Sequence, residues 1–259
     1  MSNPITAERC VALFEKAPPP IRVRVMWFGL TDEHGRLTKG RPDLATHPVS
    51  PITVSGTTWI LDGTPIQRSA AIRTLYADRP STSGELNFSE KEMENILRES
   101  LQRDDQLLVH VVGHRTVETF LKAMDATGGK AVWGKRRVRV EHGDGIFSDL
   151  VPHVRELGIV AVQNPTHLAL RDLMIRRYGI EPADQLQPLR SLLQAGIPLA
   201  LGSDGPANPF LNIMLATTYP GKPQEAITRE QAVTAYTLTS AAEFAEKDKG
   251  SLEAANWLI

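Results

Sequence analysis

Residues 136–143 read RRVRVEHG, an alternating strand that runs into Glu141 and His142 and on into Gly143-Asp144-Gly145. An acid and an imidazole at a strand end can bind a cation or move a proton, which an Asn-Gly turn cannot. Other strand-like runs end the same way. Asp62 closes 57–63, His110 lies near the end of 106–113, Gln163 and Asn164 close 158–165, and Ser203 and Asp204 close 197–204. His110 and His142 are 32 residues apart, about one strand–helix repeat, and Asp204 follows after 62 more. Two imidazoles and a carboxylate meeting at one rim are donors suited to Zn²⁺ or a similar divalent ion. Asp204 can also take the proton of a water that such an ion activates. Each residue has a plainer reading: a strand-end histidine can be a hydrogen-bonded structural group, and Asp204 before Gly205-Pro206 a turn former. Their recurrence at successive strand ends favours the metal set His110, His142 and Asp204.

Further polar residues near the same ends are candidates for holding substrate: Asp62, Arg68, Gln163, His167 and Asn208. Arg68 is included because a guanidinium can pair a substrate carboxylate. Asp144 reads equally as a support for the metal site or as a turn residue. His114, at a helix start, reads as solvated or capping rather than as an extra ligand. Trp27 and Trp59 alternate into strands and belong to the core, and Cys10 reads as a buried, inert thiol.

Six elements must carry these residues, and six strand-like runs are visible: 21–29, 57–63, 106–113, 136–143, 158–165 and 197–204. Most are rich in Val, Ile and Leu, as strands buried on both faces should be. Helical patterns separate them. Ser89 with Glu92, and Thr228 with Gln231, spell capping boxes, and SDLVPHVRELG and PLRSLLQAG each end at a glycine just before the next strand. The second box opens one long pattern, REQAVTAYTLTSAAEFA, whereas 30–56 reads as an irregular excursion. Strand–helix alternation predicts a parallel sheet covered by helices. No G-x-G-x-x-G follows an early strand, which weakens a dinucleotide-binding sheet, while functional residues gathered at strand ends favour a (β/α)₈ barrel.

The composition narrows the class. Lys+Arg number 29 against Asp+Glu 30, a formal net charge of -1, so no electrostatic case arises for nucleic acid or an anionic membrane. A single cysteine excludes an intrachain disulfide, no secretory leader is visible, and no stretch reaches the roughly 18–20 apolar residues of a membrane span. A soluble, cytoplasmic protein acting on a small molecule is the expectation.

Several blocks, in order, resemble the amidohydrolase superfamily, specifically amidohydrolase family 3, the group of N-substituted formamide deformylase-like enzymes: ILDGTPIQR, HVVGHRTVETFL, RVEHGDG, VPHVRELGIVAVQNPTH and GIPLALGSDGPANPFLNIM, with TLTSAAEFAEKDKGSLE as the closing segment. The resemblance covers about residues 20–253. It implies a metal-dependent TIM barrel that hydrolyses C–N bonds of amide-like, non-peptide substrates. His110 and His142 then correspond to the strand-5 and strand-6 metal ligands and Asp204 to the strand-8 aspartate that deprotonates the water. The departures are specific. The family's first strand carries a His-x-His pair, and none of the seven histidines here stands two residues from another. The strand-4 lysine that can bridge two metals is matched by Thr58, and the acid of the His-Ala-x-Gly-Asp block by His114. The expected architecture is therefore one incomplete barrel domain over 1–259, with about six parallel strands (family strands 3 to 8), lacking the N-terminal part and the small β-domain. Its cofactor would be one divalent ion at most, zinc first, or none. The function is then a metal-dependent amidohydrolase with Asp204 as general base. The alternatives are an inactive remnant serving as a binding or structural piece, and a fragment completed by another chain or by homo-oligomerisation.

Overall fold

The computed structural model describes residues 7–21, 23–28, 52–103, 106–243 and 249–252. Six strands, β1 (Val23–Phe28), β2 (Ile52–Ile60), β3 (Leu107–Val111), β4 (Arg139–His142), β5 (Val160–Gln163) and β6 (Leu199–Leu201), form one sheet. Every neighbouring pair is parallel and the order across the sheet is the chain order. A doubly wound sheet reverses its order at a switch point; this one does not, and the sequential order is that of a barrel wall.

Helices supply the crossovers that parallel strands need. α1 (Ala7–Lys16) precedes β1, and α2 (Glu90–Leu101) joins β2 to β3. α3 (His114–Ala126) and α4 (Gly129–Trp133) join β3 to β4, and α5 (Val151–Glu156) joins β4 to β5. α6 (Arg171–Tyr178), α7 (Ile180–Ala183) and α8 (Leu189–Gln194) lie between β5 and β6, and α9 (Pro209–Thr218), α10 (Arg229–Tyr236) and α11 (Leu238–Glu243) follow. Both capping boxes form. Ser89 Oγ accepts from the Glu92 amide while the Glu92 carboxylate accepts from the Ser89 amide, and Thr228 and Gln231 do the same for α10. The long C-terminal helical pattern is in fact two helices: Thr237, at φ -120° and ψ -83°, breaks it between α10 and α11.

Strand alternation divides the side chains between two faces. Val109, Val111, Val140, Ala161, Leu199 and Leu201 pack with Phe120, Leu121 and Met124 of α3, Val154 of α5 and Leu192 of α8 in the main core. The opposite face carries His110, Arg139, Glu141 and a small cluster of Val160, Val162 and Ala200. Trp59 meets Phe88 edge-on at 5.7 Å and packs against the core, as its strand position requires. β2 starts earlier than its sequence pattern suggests, at Ile52, because the β1–β2 register shifts between Val25 and Trp27 and the bulge hides the alternation. Residues 29–51 and the side chains of Cys10 and Trp27 lie outside the described residues. Among the described residues no helix is long and apolar enough to cross a membrane.

Candidate metal centre

The C-terminal ends of β3, β4 and β6 converge. His110 and His142 approach with ring centroids 4.3 Å apart and planes at 70°, and His142 and His167 stack at 5.7 Å and 14°. Asp204 Oδ2 lies 3.6 Å from His142 Nδ1 and 3.4 Å from His167 Nε2. Donor atoms of His142, His167 and Asp204 all fall within 4.8 Å of one another, a set able to hold one metal ion. His167 thus joins His142 and Asp204 in the cluster, a place the sequence reading reserved for His110. His110 instead lies against the His142 ring, its Nε2 buried with no hydrogen-bond partner among the described residues.

Backbone strain aims two of these side chains. By alternation His142 would follow Val140 to the helix side, but its φ of +68° breaks the pattern at the strand end. Asp204 has φ +39°. Of the six non-glycine residues with positive φ among those described, His142, Gln187, Asp204 and Tyr219 all line one cavity. Such conformations cost on the order of 1–3 kcal/mol each and gather at functional sites.

Supporting contacts fix the site from behind. Asp144 is buried; its Oδ2 lies 3.1 Å from His167 Nδ1, and its Oδ1 accepts from Gln187 Nε2 at 2.8 Å. Thr166 Oγ1 donates to the Ser203 carbonyl at 2.7 Å, Ser203 Oγ and Tyr236 Oη are 2.7 Å apart, and Asn212 Nδ2 donates to Ser203 Oγ at 3.2 Å. The loop that bears Asp204 is thereby tied to α9 and α10.

Charge at the centre follows from this geometry. Burial opposes a charge on His167, but Asp144, by charge and by hydrogen bond, and then Asp204 outweigh it and push its pKa up to about 10. The hydrogen bond from His167 holds the Asp204 carboxyl below its usual range against burial. Burial, reinforced by the neighbouring His142, pulls His110 down to about 4 and keeps it neutral. The spot between Asp144 and Asp204 is built to hold positive charge, and His110 is kept as a neutral donor.

The other sequence candidates have different partners. Asp62 is wholly buried, and its carboxylate accepts from the amides of Ala71, Val112 and Gly113 and from Thr116 Oγ1 at 2.7–3.1 Å. It therefore ties β2 to the start of α3 and has no face toward a substrate. Arg68 gives both arms of its guanidinium to Asp78, at 3.0 and 2.9 Å. Asn208 caps α9 by accepting from the Leu211 amide at 3.1 Å, and Gln163, fully buried, donates to the Gly143 carbonyl. Only His167 of the five substrate candidates lines the cavity. His114 is 3% exposed rather than solvated, stacks on Phe147 at 4.4 Å, and accepts at Nε2 from the Arg73 amide. Nothing in the sequence marks Gln187 or Tyr219: both precede prolines, far from any strand end.

The cavity measures about 230 Å³ and is walled on its other sides mainly by Pro65, Ile66, Leu168, Leu170, Met174, Leu186 and Tyr219. Polar donors at one end of an apolar chamber make a small-molecule site.

A family model described as the amidohydrolase family matches residues 6–257. The chain belongs to the amidohydrolase family. It is similar to Protein LONG AFTER FAR-RED 3 of Arabidopsis thaliana, 28% identical over 212 residues that make up 77% of this chain and 36% of that protein. N-substituted formamide deformylase of Arthrobacter pascens is 25% identical over 206 residues, 74% of this chain and 38% of the relative. A metal-dependent hydrolase from Pyrococcus furiosus, itself uncharacterized, superimposes with a TM-score of 0.73 at 26% identity, covering 81% of this chain and 44% of that one. The chain therefore spans well under half the length of each of these amidohydrolase relatives.

Proposed function

We propose that this amidohydrolase hydrolyses the C–N bond of small, largely apolar amides, with one divalent ion, zinc first, at the cluster of His142 and Asp204. The observation that carries the reading is the convergence of histidine nitrogens and an aspartate oxygen at the polar end of an apolar cavity. His142 Nδ1 and His110 Nε2 are buried without hydrogen-bond partners among the described residues, and unpaired imidazole nitrogens of this kind fit a metal's demand for donors. When bound, the ion supplies Lewis acidity toward the amide carbonyl and lowers the pKa of an attacking water. The protein's own groups do the rest. Leu168, Leu170, Met174 and Leu186 hold the apolar body of the substrate and keep bulk water out. Asp204 is kept ionised and reaches the cavity, so its Oδ2 accepts the water proton as oxygen adds to the carbonyl carbon. The same carboxyl returns that proton to nitrogen as the C–N bond breaks, and a carboxylic acid and an amine leave. On this reading Asp204→Asn in the zinc-loaded protein lowers hydrolysis of a panel of N-formyl and N-acyl aromatic amines by on the order of 10²–10⁴-fold while thermal unfolding is little changed. Unchanged turnover removes Asp204 from the mechanism.

A second reading, a metal-holding but catalytically silent binding piece, is favoured by the absence of any His-x-His pair among the seven histidines. Tight zinc binding with no turnover of any amide in that panel would support it.

A further inference from the structure

We infer that His167 bonds directly to the ion through Nε2, and that Asp144 and Gln187 lock its ring in the ligating tautomer. The inference rests on reading this cluster as a metal site. Two donors bound tetrahedrally at about 2.1 Å stand about 3.4 Å apart. His167 Nε2 lies 3.4 Å from Asp204 Oδ2, and His142 Nδ1 lies 3.6 Å from the same oxygen. Those spacings already match a shared ion, so binding asks for almost no movement. The far side of the ring supplies the second argument. A zinc-bound histidine hands its other N–H to a carboxylate or carbonyl, which fixes the tautomer and raises the ring's donor strength. Asp144 stands in that place, 3.1 Å from His167 Nδ1, buried, and itself held by Gln187 at 2.8 Å. A histidine meant to contact substrate needs a nitrogen turned to the cavity. Here both ring nitrogens face carboxylates, so neither is left for a substrate amide. The set His142, His167 and Asp204 gives one ion three protein donors and leaves a position open, the arrangement of a catalytic rather than a structural zinc.

Cobalt(II) titration of the metal-free protein tests this without any assay of turnover. His167→Gln is expected to weaken cobalt binding by more than about 10-fold, and Asp144→Asn by roughly 10- to 100-fold, through loss of the ring's support. His167→Cys is expected to restore binding and to add a near-ultraviolet thiolate-to-cobalt charge-transfer band absent from the wild type, whose sole cysteine is Cys10. That band decides the question even if His167→Gln fails to fold. Wild-type affinity in His167→Gln, or no such band in a folded His167→Cys protein, overturns the inference while leaving a metal on other donors. No cobalt bound by the wild type overturns the metal reading, and the inference with it.

Discussion

At the scale of single residues, hydrogen-bond partners separate site from scaffold. Asp62 and Asp204 look alike in the sequence, each an acid at the end of an apolar run. One has four donors around it and no exposure, whereas the other faces the cavity beside two imidazoles. His114 is a further case. Burial first, and then the nearby Arg73 charge, pull its pKa down to about 4, and its Nε2 must stay unprotonated to accept from the Arg73 amide. A histidine depressed in the folded state binds fewer protons there than in the unfolded chain, whose value is about 6.5. Its contribution is complete above about pH 6.5 and is lost as pH falls toward 4. The metal-free protein should therefore lose stability between pH 7 and pH 5 in urea unfolding. His114→Gln, which keeps an acceptor for the Arg73 amide but does not titrate, should shrink that loss by on the order of 1 kcal/mol. An identical pH response in the variant would show that His114 is not a source of it.

At the scale of elements, the turn after β4 does the positioning. Gly143 has φ +54°, and a Cβ there would sit 2.9 Å from Ile146 Cδ1, so only glycine takes the chain from His142 to Asp144 at this angle. Gly145 is required by proximity: a Cβ would stand 2.5 Å from the His114 amide nitrogen and 2.7 Å from the Val112 carbonyl oxygen. Both are backbone atoms of the β3–α3 junction and cannot rotate away. Gly145→Ala should therefore destabilise the fold by about 1–3 kcal/mol, read as a lowered unfolding midpoint. It should also weaken metal binding, because the push falls on the segment that carries Asp144. A variant with wild-type stability would mean that the two loops have room to separate. The acid, histidine and paired glycines at 141–145 thus end the strand as they do because a ring must be turned inward and its support seated against a neighbouring loop.

At the scale of the whole molecule, the wall of the barrel was legible because strands buried on both faces leave Val/Ile/Leu runs, and glycines and capping boxes bound the helices between them. The start of β2 was not legible, since a bulge interrupts its period, and neither was the break at Thr237, which no proline or glycine announces. For the site, His142 and Asp204 could be found from strand ends alone. The choice between His110 and His167 as their partner could not, because His167 sits in a 3₁₀ segment, Pro165–Leu170, that only folding brings back over β4. Gln187 was beyond reach for the same reason. A polar side chain at a strand end has the same sequence signature whether it meets a cavity, as Asp204 does, or a set of amides, as Asp62 does.

The account stands or falls on one ion among side chains from β4, the segment after β5 and the loop after β6. Anomalous diffraction at the zinc edge, from crystals of the zinc-loaded protein, locates that ion directly. The expected result is a single peak about 2.0–2.2 Å from a nitrogen of His142, a nitrogen of His167 and an oxygen of Asp204. No peak at these three residues, or a peak elsewhere with all three unliganded, contradicts it.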